Sequence, residues 1–121
     1  MHLQSEKMVV LQANWKEMLT HVYHPKRLQV LNRVKTITGK VVHTKKEPDG
    51  DIHIELDNGM ECEIICAGKV TQRDAVSSCK GYKNKIKSPK KGDKIRVTGQ
   101  HVFDKVHKHA EIHPVFKLQK I

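Results

Sequence analysis

The feature that most constrains the fold is a strict alternation of apolar and polar residues that ends in a tight turn. From Asp51 to Asp57 every second residue is apolar, so a strand here has one apolar and one polar face. Asn58-Gly59 follows at once, and this dipeptide is the strongest short signal of a two-residue hairpin turn. Residues 60–66 supply the returning strand. The sequence therefore predicts an antiparallel hairpin with one face in the core.

Strand signals continue on both sides of this hairpin. Residues 34–44 are rich in Val, Ile and Thr, and Gly39 in their middle is typical of a strand that bends. Residues 94–103 and 111–118 form two further predicted strands, separated by a turn. Together with the hairpin, these segments predict a mainly β chain of five strands.

Helices are predicted in two places. Apolar residues recur at spacings of three and four in residues 5–22, which predicts a helix that ends before His24-Pro25. Thr71 and Asp74 have the spacing of a helix N-cap and its capping-box acid. They predict a short helix between the third and fourth strands that ends near Cys79.

Three phrases of the sequence are distinctive: Asp49-Gly50-Asp51-Ile52-His53 (DGDxH), Glu111-Ile112-His113-Pro114-Val115 (EIHPV) and Cys79-Lys80-Gly81-Tyr82. Together they resemble the motifs of a group of small single-domain OB-fold proteins of archaea and bacteria. The order of elements is also similar to that of the OB-fold, a five-stranded Greek-key β-barrel. The resemblance implies a barrel over residues 34–121 and a helical N-terminal extension over residues 1–33. It implies a fold and no particular activity.

Cysteine usage and hydropathy predict a cytoplasmic protein without a membrane partner. No run of apolar residues approaches the ~18 needed for a membrane span, and no secretory segment is evident. An odd number of cysteines argues against a closed disulfide framework, so we expect reduced thiols at Cys62, Cys66 and Cys79. Cys62 and Cys66 share the parity of Ile64, which places them on the core face. A Cys66–Cys79 bridge is the alternative in an oxidising compartment.

Charge is segregated along the chain. There are 23 Lys and Arg residues against 13 Asp and Glu, a net charge of +10, which favours polyanionic partners. Residues 47–63 carry acids without Lys or Arg, whereas residues 80–96 are strongly basic. The first functional prediction is weak, sequence-independent binding of single-stranded nucleic acid by this basic loop. Its predicted phosphate ligands are Lys80, Lys83, Lys85, Lys87, Lys90, Lys91 and Arg96.

Few aromatic residues are available to stack on bases. Tyr82 lies inside the basic loop and is the predicted stacking residue, with capping of the barrel end as its alternative role. Lys108-His109-Ala110 stands where the resembled group carries Gly and Trp, so an aromatic is missing from that loop. A base stacked on an aromatic side chain contributes ~1–3 kcal/mol, so binding with few such side chains should be weak and salt-sensitive.

Clustered histidines and acids give the alternative functional prediction, a metal-binding or metal-dependent barrel. The predicted ligands lie at the loop after the first strand and around the last strand, two regions that flank one cleft in an OB barrel. They are Asp51, His53, His107, Glu111 and His113. Imidazole and carboxylate suit Zn, Mn, Ni or Fe. The simpler interpretation is a polar strand face whose acids pair with nearby lysines.

Motifs of known enzyme classes are missing from the sequence. There is no Gly-rich phosphate loop, nucleophile elbow or Cys–His signature. The sequence therefore gives no basis for assigning a catalytic activity, and it leaves the oligomeric state open.

Overall fold

A computed structural model of the chain describes residues 15–121 and shows a mainly β structure. The strands are β1 (Leu28–Lys46), β2 (Ile52–Leu56), β3 (Glu61–Ile64), β4 (Lys94–Asp104) and β5 (His109–Lys120). Short 3₁₀ helices occupy Pro25–Arg27 and Arg73–Cys79, and residues 15–19 are helical. Across the described range no helix has the length and apolar character needed to cross a membrane.

The five strands form one sheet that closes on itself in the order β1-β2-β3-β5-β4. Neighbouring strands are antiparallel except for β3 and β5, which run parallel. β1 completes the closed sheet because it pairs with β4 up to Lys40 and with β2 from Val41 onward. Gly39 lies beside this change of partner, where an added Cβ would lie 3.1 Å from the Leu56 side chain.

The core confirms the alternation that the sequence shows. Ile52, Ile54 and Leu56 are buried inside the barrel, whereas His53 and Glu55 on the opposite face are not fully buried. The other buried core residues are Val41, Cys62, Ile64, Ile95, Val97, Ile112 and Val115. Burial of each large aliphatic side chain stabilises the fold by about 1.5–3 kcal/mol, so this cluster is the main source of stability.

The N-terminal part differs from the prediction. β1 begins at Leu28, so the predicted boundary between residues 1–33 and 34–121 falls inside a strand. The early start of β1 depends on β4, whose far end pairs with Leu28 and its neighbours, and such non-local pairing leaves no local sequence signal. The predicted helix over residues 5–22 lies largely outside the described residues. Its described end stacks Trp15 on Phe116 with ring centroids 4.4 Å apart.

The helix between β3 and β4 is present and ends at Cys79 as predicted, but its N-cap was predicted wrongly. It is a 3₁₀ helix whose N-cap residue is Gln72, and no side chain caps it. Asp74 does not close a capping box. It accepts a hydrogen bond of 2.5 Å from the Tyr23 hydroxyl, which holds the segment before β1 against this helix.

A disulfide joins Cys66 to Cys79, so the expectation of reduced thiols is wrong for this pair and the alternative is confirmed. Cys66 follows β3 with a left-handed φ of 54°, which turns it away from the strand direction. It lies in a smaller cluster with Ile65 and Phe116, outside the main core. Cys62 is a buried free thiol on the core face, as predicted.

Candidate metal centre

Three carboxylates form a row across the polar faces of β2, β3 and β5. Glu55 lies opposite Glu61 in the β2–β3 pairing, and Glu61 lies opposite Glu111 in the β3–β5 pairing. Directly opposite residues have Cβ atoms about 4.5–5.5 Å apart, and like charges at this spacing repel. Protons or cations must therefore lie among these groups.

Histidines approach the row from both sides of Glu61. His53 Nε2 is 3.2 Å from Glu61 Oε1 and 3.7 Å from Glu55 Oε1. His109 Nδ1 is 2.7 Å from Glu61 Oε2 and 3.6 Å from Glu111 Oε2. Each oxygen of Glu61 thus faces a different imidazole.

A further set of contacts fixes the orientation of these groups. His53 Nδ1 is 2.9 Å from Glu63 Oε1, and His113 Nδ1 is 2.8 Å from Glu111 Oε1. Such hydrogen bonds to the second nitrogen or oxygen of a ligand are typical around metals in proteins, where they orient the ligand. These contacts leave His53 Nε2 facing Glu61 and leave Glu111 Oε2 facing His109.

Two buried polar atoms of this cluster lack a hydrogen-bond partner within residues 15–121. They are Glu63 Oε2 and His113 Nε2, and their residues are only 7% and 9% exposed. His113 Nε2 comes no nearer than 3.7 Å to Asp51 Oδ2, too far for a hydrogen bond. An unsatisfied buried polar group costs about 1–3 kcal/mol. A proton shared with the neighbouring Glu47 carboxylate satisfies Glu63, and His113 Nε2 remains without a partner among the described residues.

Burial changes the protonation of the cluster. Burial, with the carboxylate of Glu47 nearby, raises the pKa of Glu63 to about 12. Burial also raises the pKa of Asp51 to about 7, although the charge of His113 opposes the shift. For His113, burial lowers the pKa, but the hydrogen bond to Glu111 and the charge of Asp51 outweigh it and the net pKa is raised. Near neutral pH the cluster therefore retains protons that exposed carboxylates would have lost.

The acids of the cluster pair with histidines and not with lysines. The chain has 23 Lys and Arg residues, yet across residues 15–121 the only ion pair of a Lys or Arg joins Lys120 to Asp93. Arg27 and Lys45 line the cavity without such a contact. The interpretation that nearby lysines pair with these acids is therefore wrong for the described part of the chain.

The five predicted metal ligands line one cavity of about 540 Å³. Only some of them lie in the row of carboxylates. His113 contacts Glu111 from the side of Asp51, and His107 pairs with Asp104 at 2.8 Å. The prediction missed Glu61 and Glu63, which complete the cluster from β3. The Asn58-Gly59 turn could have located them, because it fixes the β2–β3 register and thereby places Glu61 opposite Glu55.

The residues predicted to bind phosphate lie on a different surface. The exposed ones are Lys80, Lys83, Lys85, Lys87, Lys90, Lys91 and Arg96. Tyr82 is half-buried and stacks on His21 with ring centroids 4.4 Å apart. Tyr82 therefore has a packing contact within the chain, and its roles in base stacking and in capping the barrel end stay predictions.

Neither a scan against protein-family models nor a search of curated proteins found a match to this chain. The geometry of the cavity is therefore the basis for assigning a function.

Proposed function

We propose that the chain is an OB-type barrel that binds a divalent transition-metal ion on its polar β2–β3–β5 face. The closed five-stranded sheet and the short helix between β3 and β4 support the OB-type assignment. In that fold, strands 2 and 3 and the loops after strands 1 and 4 form the usual ligand surface. The cavity overlaps this surface, because its lining includes residues of β2, β3 and the loops after β1 and β4, together with β1 and the segment before it.

The proposed ligands of the ion are Glu61, His109 and Glu111. Bonds of about 2.0–2.2 Å to imidazole nitrogen and carboxylate oxygen place two ligands of one ion roughly 3.0–3.4 Å apart. His109 Nδ1 is 2.7 and 3.6 Å from the facing oxygens of Glu61 and Glu111, values that bracket this range. Small side-chain movements therefore suffice to enclose an ion.

The strongest support comes from the combination of burial and pairing. Glu111 is buried, with its side chain only 4% exposed, and its carboxylate contacts imidazoles where a basic protein would ordinarily supply Lys or Arg. A buried carboxylate needs a cation or a proton. A divalent ion would meet that requirement at the oxygen of Glu111 that faces His109, and imidazole with carboxylate favours Zn, Mn, Fe, Co or Ni over Ca or Mg.

Three protein donors leave further coordination positions open to the cavity. Sites of this kind, with an incomplete set of protein ligands, bind water or another ligand at the remaining position, whereas structural sites are closed. The proposed function is therefore metal binding with an accessible ion.

Isothermal titration calorimetry with Zn²⁺ and Mn²⁺ tests the proposal, using EDTA-treated protein purified without metal-affinity chromatography. We expect a Kd in the micromolar range or tighter. His109→Ala is expected to weaken binding at least about 100-fold, more than the ~10–100-fold that follows loss of an outer partner. The melting temperature should rise with metal, because an ion at 100 times its Kd stabilises the native state by about 2.7 kcal/mol.

His101→Ala is the matched control for adventitious binding by histidine. His101 lies on β4 outside the cavity, with Nδ1 2.8 Å from Asn32 Oδ1. Its replacement should leave the affinity unchanged. Equal affinities for His101→Ala and His109→Ala, or no binding by the unmodified chain, would contradict the proposal.

A second candidate function, binding of single-stranded nucleic acid, is favoured by a groove of about 620 Å³ with an apolar floor and a basic rim. The floor contains Ile86, Phe116 and Leu118. The lysines of the rim are Lys85, Lys87, Lys90, Lys117 and Lys120. Phe116 is buried and stacked on Trp15, so Ile86 and Leu118 would contact the bases while the lysines bind phosphates.

Charge reversal at the rim tests this second function. Lys87→Glu with Lys90→Glu should weaken binding of a labelled single-stranded oligonucleotide at least tenfold, measured by fluorescence anisotropy at ~50 mM salt. Affinity should fall further at ~200 mM salt and be indifferent to EDTA. The pair Lys105→Glu with Lys108→Glu changes the net charge equally at the exposed β4–β5 turn. If both pairs weaken binding to the same extent, the groove is not the site.

A further inference from the structure

We infer that the cavity accommodates two divalent ions bridged by the carboxylate of Glu61. This inference rests on the proposed function, because the first ion is the one held by Glu61, His109 and Glu111. The second ion would lie on the other side of Glu61, among His53, Glu55 and Glu61. The second ion would also be a divalent transition metal, because its ligands are again imidazole and carboxylate.

The second set of donors has the dimensions of a coordination sphere. His53 Nε2 is 3.2 Å from Glu61 Oε1 and 3.7 Å from Glu55 Oε1. These separations are close to the roughly 3.0–3.4 Å between ligands of one ion. In each of the two sets, the three donor atoms lie within 4.8 Å of one another.

Glu61 has the geometry of a bridging ligand. Its Oε1 faces His53 and its Oε2 faces His109, so one ion can bind each oxygen. The strand register produces this arrangement, since Glu61 is the central carboxylate between Glu55 and Glu111. Paired metal ions in proteins lie about 3.5–4 Å apart, and sharing one carboxylate between neighbouring strands is compatible with that spacing.

Each side of the bridge has its own orienting partner. Glu63 Oε1 contacts His53 Nδ1, which leaves His53 Nε2 for the second ion. His113 contacts Glu111 Oε1, which leaves Glu111 Oε2 for the first. A proton shared between Glu63 and the neighbouring Glu47 carboxylate keeps Glu63 in place beside His53.

Two other donor sets in the cavity overlap with this pair. Glu47, His53 and Glu63 form one set, which shares His53 with the second ion. Asp104, His107 and His109 form the other, which shares His109 with the first ion. The two sets on either side of Glu61 have only Glu61 in common.

Metal stoichiometry and electron paramagnetic resonance test the inference with Mn²⁺ as the probe. We expect two Mn²⁺ per chain and an exchange-coupled signal. Glu55→Gln should lose the second ion and the coupling while the first ion binds with at most a few-fold weaker affinity. Glu111→Gln should instead keep the ion at His53. Glu61→Gln should weaken both by at least tenfold.

Glu17→Gln is the control, because it removes an exposed carboxylate outside the cavity, and circular dichroism checks the fold of each variant. One ion per chain in the unmodified protein, with Glu55→Gln unchanged in stoichiometry and affinity, would overturn the two-ion inference and leave the single site standing. No Mn²⁺ or Zn²⁺ bound at all would contradict the proposed function itself.

Discussion

Gly99→Ala is expected to destabilise the barrel by about 3 kcal/mol or more, because an overpacked site with no room to relax is among the costliest substitutions. A Cβ at this position of β4 would collide with the carbonyl oxygen of Pro114 and lie 2.5 Å from Ile112 Cγ2. It would also lie 3.1 Å from Val115 Cα. These neighbours are mainly backbone atoms of β5, so relief requires separating β4 from β5.

Urea unfolding followed by circular dichroism measures this effect. A loss of about 3 kcal/mol is a large part of the 5–15 kcal/mol that stabilises most domains, so Gly99→Ala protein should unfold at a clearly lower urea concentration than the unmodified chain. Gly68→Ala is the matched control, since a Cβ there lies an ordinary 3.7 Å from the Gly50 carbonyl oxygen. If the two variants unfold at similar urea concentrations, β5 can move away from the added Cβ at little cost, and the prediction is wrong.

Loss of the Cys66–Cys79 disulfide is expected to cost about 3 kcal/mol, because the bridge closes a short loop and restricts the unfolded chain. The two cysteines are 13 residues apart in sequence. The bridge also holds the backbone after β3, where the Cys66 amide donates a hydrogen bond of 3.2 Å to Asp51 Oδ1. We therefore expect Cys66→Ala with Cys79→Ala to unfold at a clearly lower denaturant concentration.

A reductant supplies the internal control for this prediction. Adding it should move the unfolding midpoint of the oxidised, unmodified protein toward that of the double variant, and it should leave the double variant unchanged. Cys62 is buried and unbridged in both proteins, so its thiol contributes equally. A midpoint of the unmodified protein that ignores reductant would show that the bridge does not form or does not stabilise the fold.

The local parts of the fold followed from the sequence. The Asn58-Gly59 turn and the alternation before it predicted β2, β3 and the residues that they bury. The predicted strands 94–103 and 111–118 fall within the observed β4 and β5. Each of these signals is contained within one or two neighbouring segments, which is why a single sequence displays them.

Long-range pairings could not be predicted in the same way. The start of β1 at Leu28 depends on its pairing with the end of β4. The importance of Glu61 depends on the parallel pairing of β3 with β5, which places it opposite Glu111. The predicted ligands Asp51, His53, His107, Glu111 and His113 were grouped by an analogy with the loops of a fold, and that analogy gave no register for β3.

The parallel contact of β3 with β5 links the proposed site to the order of folding events. Glu61 and Glu111 are about fifty residues apart, and closing a loop of that length carries an entropic cost that must be met before the contact forms. The donors therefore come together only when the last strand has joined the first hairpin. An ion bound there would act on a completed barrel: it would slow unfolding while adding little to the rate at which the early hairpin forms.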